Sequence, residues 1–270
     1  MITAPSPLLE SLARRDLPAE SVTLVWLGQA SFALRLGGTT VLIDPFLSAH
    51  PDRLVPPPFP AAEALDVGLV LITHDHLDHL DDDAVATIAR SSPGAAFVVP
   101  EAVVERLTQL GVDRARIRGL PPDGQTELGE VAVDAVPAAH GETMEDAYRV
   151  GPFLGYVVSA GGARVYHSGD TVPFDGLVER LRALNVHLAL LPINGRDEER
   201  EAAGIVGNLD AQEAAQLAAD IGADAAVPMH WDMFAWNPGD PGAFVAASQT
   251  TVIVPQHGRP FVYTMPASAV

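Results

Sequence analysis

The chain reads as an α/β protein whose strands fall into two comparable units. Strand-like and helix-like segments alternate along its 270 residues. A strand, a Gly-Gly step and a return strand followed closely by Asp occur twice, which points to two related sheets. No linker or compositional shift divides the sequence, so a single domain is expected over residues 1–270, with 1–20 as an N-terminal extension.

In the first unit, apolar residues at 22–27, 31–36 and 39–43 predict strands, and Gly37-Gly38 supplies the positive φ that a two-residue hairpin turn needs. A proline-rich stretch over 45–60 forbids regular helix or central strand and is expected as a surface loop. The continuous apolar run 67–73 suits a strand buried on both faces. Asp81 to Asp83 before residues 84–90, with Arg90 at the end, match the dipole of a helix. Residues 97–99 read as strand and 101–110 as helix, stopped by Gly111.

The second unit repeats the design. Residues 131–136 alternate as a strand, and 154–160, Gly161-Gly162 and 163–166 form the second hairpin ahead of Asp170. Helices are predicted over 174–184 and 209–221, the latter opened by Asp210 and Glu213 at capping-box spacing and closed by Gly222. Short strands are expected at 188–191, 225–228 and 261–264.

Composition removes whole classes of chemistry. There is no Cys, which excludes disulfides, thiolate nucleophiles and Cys-ligated metals. There is no Lys either, which excludes a P-loop lysine and Schiff-base catalysis. A net charge of −19 argues against nucleic acid or an anionic membrane as partner. No apolar stretch reaches the roughly 18 residues of a membrane span, and residues 1–20 lack a basic segment followed by an apolar run, so a cytoplasmic location is expected.

The chemistry concentrates in Thr73-His74-Asp75-His76-Leu77-Asp78-His79, directly after a buried strand. Packing does not call for three histidines and two aspartates there. His74 and His76 can converge on one ion while Asp78 and His79 turn toward a neighbouring one, and such a donor set suits zinc, iron or manganese better than calcium or magnesium. His140, Asp170 and His230 each close an apolar run, and residues at the carboxyl ends of strands gather at one sheet edge. The remaining histidines, His50, His167, His187 and His257, lack partners at ligand spacing.

This pattern resembles the metallo-β-lactamase-fold hydrolases, whose signature is His-x-His-x-Asp-His followed by separate His, Asp and His ligands. The resemblance implies a four-layer αββα sandwich with two divalent metal ions, zinc or manganese foremost and iron admissible. It assigns His74, His76 and His140 to one metal, Asp78, His79 and His230 to the other, and Asp170 as the bridge. Enzymes of this fold that open penicillins commonly carry Cys where Asp170 stands, which argues against a dedicated lactamase. A narrower likeness, in Trp26-Leu-Gly-Gln-Ala-Ser-Phe32, Leu42-Ile-Asp-Pro45, Leu191-Pro-Ile-Asn-Gly-Arg-Asp197 and Pro228-Met-His-Trp-Asp232, is to the L-ascorbate 6-phosphate lactonase group.

The expected function is therefore metal-dependent hydrolysis of a small polar ester, lactone or phosphorylated metabolite by a metal-bridging hydroxide. Asp75 and Asp170 are the expected catalytic carboxylates, with Asp75 handling protons, and Asp44 is expected to orient a ligand histidine. Asn194 and Arg196 follow a strand and are expected to bind a substrate carbonyl, carboxylate or phosphate. The partner is then a small molecule, and self-association into a homo-oligomer is left open. Two other readings are a two-metal phosphodiesterase or nuclease and a metal-bound sensing module without turnover.

Overall fold

The computed structural model describes residues 4–14, 18, 20–141 and 143–266. The first sheet is assembled from β1 (Ser21–Gly28), β2 (Ser31–Leu36), β3 (Thr39–Ile43), β4 (Leu69–Leu71), β5 (Ala96–Pro100) and β6 (Ile117–Leu120). The second holds β7 (Gln125–Leu128), β8 (Val131–Ala139), β9 (Val150–Ala160), β10 (Ala163–His167), β11 (Leu188–Pro192), β12 (Ala225–Met229) and β13 (Thr251–Val252). A last strand, β14 (Pro260–Thr264), returns to pair with β1, so each sheet has seven strands, in the orders β14-β1-β2-β3-β4-β5-β6 and β13-β12-β11-β10-β9-β8-β7.

Side-chain alternation explains the layering. Every residue of β1 is buried, because Leu24 and Trp26 face the other sheet while Val25 and Leu27 face helices. Between the sheets, Leu24, Phe32 and Leu34 join Val133, Tyr156 and Leu190 in one core. On the outer face of the first sheet lie α1 (Pro7–Ala13), α2 (Asp82–Ser91) and α3 (Val104–Gln109), contributing Leu12, Ile88 and Leu107. Beyond the second sheet lie α4 (Leu177–Ala183), α6 (Ala211–Asp220) and α7 (Pro241–Ala247), contributing Leu181, Leu217 and Phe244, while the short α5 (Glu198–Ala202) buries no residue. The result is the expected αββα sandwich.

Both Gly-Gly hairpins form. Gly37 and Gly38 have φ of +51° and +75°, as such a turn requires. In each sheet the hairpin's return strand then pairs in parallel with the next strand, β3 with β4 and β10 with β11. Helix α2 is capped by Asp81, whose side chain accepts from Ala84 N, and α6 carries the expected capping box between Asp210 and Glu213. The helix expected at 174–184 starts only at Leu177, since Gly176 at φ +90° breaks the preceding turn.

One expectation needs correction. The proline-rich stretch is irregular but not simply superficial, because Phe46, Leu47 and Phe59 are buried and Arg53 donates to the carbonyls of Phe46, Ser48 and Val55. The N-terminal extension also carries structure: α1 buries Leu9 and Leu12 against the first sheet. Among the described residues, no helix is long and apolar enough to cross a membrane.

Candidate metal centre and pocket

Four chain segments deliver the site, each as it leaves a strand. Residues 73–79 run from β4 toward α2, His140 follows β8 directly, Asp170 lies three residues beyond β10, and His230 follows β12. The main chain ties the two sheets together here. Leu154 N–H donates to Thr73 O at 3.1 Å, and His230 N–H donates to Gln29 O at 3.0 Å. At Gly169, φ is +65°, and a Cβ would sit 2.7 Å from Leu154 O and 2.9 Å from Thr73 Cβ. Only glycine fits that approach.

The side chains expected to bind metal converge. Their donor atoms form three overlapping groups: His74, His76 and His140; His74, His79 and Asp170; Asp78, His79 and His230. His74 Nε2 lies 3.1 Å from His76 Nδ1, which is 3.4 Å from His140 Nε2. Asp170 reaches three histidines, with Oδ1 at 3.4 Å from His79 Nε2 and Oδ2 at 3.2 Å from His230 Nε2 and 3.8 Å from His140 Nε2. Asp78 Oδ2 is 3.5 Å from His230 Nε2 and 3.8 Å from His79 Nε2.

These distances fit a cation-binding shell. Ligands about 2.1 Å from a tetrahedral zinc lie roughly 3.4 Å from one another, close to the spacings observed. His79 Nε2, His140 Nδ1 and Asp170 Oδ1 are buried and make no hydrogen bond among the described residues, a costly state unless something else satisfies them. The imidazole and carboxylate donors match zinc, manganese or iron.

Charge in the cluster is divided. Burial, reinforced by His79 and His76, pushes His74 well below the ordinary imidazole range, and burial lowers His140 to about 4. Burial also opposes the charge on His79, but Asp170, Asp78 and Asp44 prevail and hold it well above that range. In the same way the acids raise His230 to about 9. Asp170 and Asp78 are depressed despite burial, by His230 and His79 around the first and chiefly His79 beside the second.

Asp44 sits where a ligand-orienting group is expected. Its Oδ2 accepts from His79 Nδ1 at 2.7 Å and Thr73 Oγ1 at 2.6 Å, and its Oδ1 accepts from Thr73 N–H at 2.8 Å. This leaves His79 Nε2 for the cluster. Gln29, to which sequence reasoning gave no role, donates from Nε2 to Asp78 Oδ2 at 2.8 Å. Gln29, Asp44 and His230 all hold positive φ, at 52°, 45° and 60°, a concentration of strain typical of functional sites.

Three of the expected residues do not bound the pocket. Asp75 lies outside all three donor groups and is not among the residues bounding the pocket; its main-chain carbonyl accepts from Arg106, and its buried Oδ1 has no hydrogen-bond partner among the described residues. Arg196 is turned from the pocket by a two-pronged pair with Glu213, at 2.7 and 2.6 Å, and by a bond to Asn208 O. Asn194 is 4% exposed and donates to Asn237 Oδ1, so it supports the pocket wall from behind. The pocket itself, about 180 Å³, is bounded by His76, Asp78, His140, Asp170 and His230 on one side and by Gly204, Ile205, Val206, Trp236 and Asn237 on the other. Of the second set the sequence offered only Trp236, as an aromatic able to wall the pocket; Gly204, Ile205, Val206 and Asn237 were missed. The only signal for Asn237 was an amide in a Pro/Gly-rich segment shortly after His230.

Comparison with known proteins agrees with this geometry. Residues 39–231 match the β-lactamase superfamily domain. A UPF0173 metal-dependent hydrolase of Thermoplasma acidophilum is 31% identical over 246 residues, covering 89% of this chain and 98% of that one. The chain belongs to the metallo-β-lactamase superfamily. Within the superfamily it is a metal-dependent hydrolase of the UPF0173 family, and a further UPF0173 relative from Methanopyrus kandleri is 34% identical over 82% of this chain and 89% of its own. Among solved structures, a metallo hydrolase from the archaeon Ignicoccus hospitalis superposes with a TM-score of 0.72 at 25% identity, covering 91% of this chain and all of that one.

Proposed function

We propose that this hydrolase works with two divalent cations, zinc or manganese, to open a small ester or lactone in the cytoplasm. The observation that carries the proposal is the pair of buried, unbonded atoms His79 Nε2 and Asp170 Oδ1, 3.4 Å apart within the donor cluster, beside a pocket that His76, Asp78, His140, Asp170 and His230 line. His74, His76 and His140 would hold one cation and Asp78, His79 and His230 the other, with Asp170 shared between them. When bound, such cations acidify a water and polarise a carbonyl.

The chain's own residues arrange the rest. Asp44 fixes the His79 ring through Nδ1. Gln29 pins Asp78 through Oδ2, which restricts the carboxylate to one orientation. Ile205, Val206 and Trp236 set an apolar surface on the side of the pocket facing the donor cluster. Among the described residues no arginine lines the pocket, so a phosphorylated metabolite lacks the anchor that Arg196 was expected to supply. An ester or lactone is favoured for that reason.

Metal analysis of the purified full chain, coupled to a panel of esters, lactones and phosphodiesters, tests the proposal. Two cations per chain, with ester or lactone turnover that a chelator removes and zinc or manganese restores, is the expected result. A single cation per chain, or turnover confined to phosphodiesters, overturns it.

A further inference from the structure

Asn237 is 6% exposed and lines the pocket, yet only one end of its carboxamide is bonded. Its Oδ1 accepts from Arg200 Nη1 at 2.7 Å and from Asn194 Nδ2 at 3.0 Å. A guanidinium can only donate, so the atom facing Arg200 must be the amide oxygen, whichever way the carboxamide would otherwise be assigned. The amide nitrogen is left without a partner among the described residues. Asn237 lines the pocket and this nitrogen is not sealed from solvent, so it is free to donate to an acceptor brought into the pocket.

The clamp behind Asn237 is rigid. Arg200 Nη1 also donates to Asn194 O at 2.8 Å, its Nε pairs with Asp197 at 2.6 Å, and Asn208 Nδ2 donates to Asn194 Oδ1 at 3.2 Å. Asp197 balances the charge of Arg200, so the clamp presents the pocket with a neutral donor rather than a cation. Beside that donor the wall is apolar. Trp236, 48% exposed, is held flat on Phe234 with ring centroids 4.9 Å apart, and Ile205 and Val206 continue the surface.

Building on the hydrolase reading above, we infer that Asn237 Nδ2 is the substrate-orienting donor of this pocket, selecting an uncharged acyl compound with an oxygen acceptor next to a flat apolar group. The acceptor meets the amide, and the apolar group covers Ile205 and Trp236. Among the described residues of that wall a phosphate group finds no guanidinium to pair with.

The test measures binding by calorimetry, with the full chain first stripped of metal and then loaded. The probe is γ-phenyl-γ-butyrolactam, which resists hydrolysis and keeps one carbonyl beside one flat ring. Asn237→Asp retains an oxygen for Arg200 and Asn194 while removing the donor, and Asn237→Ala removes both; thermal midpoint and metal content report whether each variant is intact. The wild-type chain is expected to bind the lactam, and both variants to bind it about tenfold more weakly, the worth of one buried hydrogen bond. Equal binding by the wild type and an intact Asn237→Asp overturns the role of Asn237. Absence of lactam binding by the wild type, or a preference for phenyl phosphate over the lactam, overturns the substrate class. Lactam binding that depends on Asn237, in a loaded protein that hydrolyses no ester or lactone, leaves this inference standing and removes the hydrolysis proposal alone.

Discussion

Asp44 and Asp170 occupy matching places in the two sheets, each shortly after the return strand of a Gly-Gly hairpin, yet their surroundings are opposite. Asp44 is saturated: both oxygens accept hydrogen bonds from Thr73 and His79. Asp170 is left open, with Oδ1 unbonded and three histidines within 3.8 Å. One construction therefore yields two kinds of carboxylate. The saturated acid fixes the direction of a neighbouring imidazole, and the open one leaves lone pairs available in a group of donors that could hold a cation.

The sharpest way to break this contrast is Asp170→Ala. Metal content should fall below that of the wild-type chain, and turnover on any accepted ester should drop by more than about a hundredfold while the far-ultraviolet circular dichroism persists. Two bound metals with an unchanged rate would remove Asp170 from the centre. Asp44→Ala should act more mildly and at one remove, weakening metal affinity roughly 10–100-fold in competition with a chelator. It should also lower the thermal midpoint, because buried Thr73 and His79 donors lose their acceptor. Unchanged metal affinity would mean that His79 needs no orientation.

The smallest effect belongs to Arg196→Ala. Its hydrogen bonds hold the Glu213 carboxyl below the ordinary carboxylate range. A depressed carboxylate contributes stability above its unfolded pKa and loses it as pH falls through the folded value. Both partners are about a third exposed, so the variant should lose no more than about 1 kcal/mol at neutral pH, and the difference should vanish on acidification. Activity on neutral esters should be retained; a large rise in KM would return Arg196 to the substrate.

The individual strands and helices were readable because their signals are local, while the four-layer arrangement came from the family resemblance. The apolar run of β1, glycine pairs in the hairpins and the caps of α2 and α6 each involve neighbours in sequence. The donor cluster was readable because five of its members and neighbours lie within six positions and the others close apolar strands. The opposite wall was not. Arg196 looked available only because its partner, Glu213, lies 17 positions on, in a helix whose capping box explained it without reference to Arg196. Asn237 takes its meaning from Arg200, 37 positions earlier, and nothing in the spacing of the two announces that contact. Gln29 reaches Asp78 across 49 positions in the same way. Asp75 shows the converse: membership of a dense motif does not guarantee a place on the pocket wall.

The close approach of Thr73, Leu154 and Gly169 has a consequence for how such a centre can change over time. Because peptide groups themselves weld the halves together behind the histidines, the gap between opposing ligands is fixed by the frame and not by any one rotamer. Replacing wall residues such as Ile205 or Trp236 would then retune what enters the cavity without loosening the ligand spacing. The frame acts as a gauge block against which new specificities can be cut.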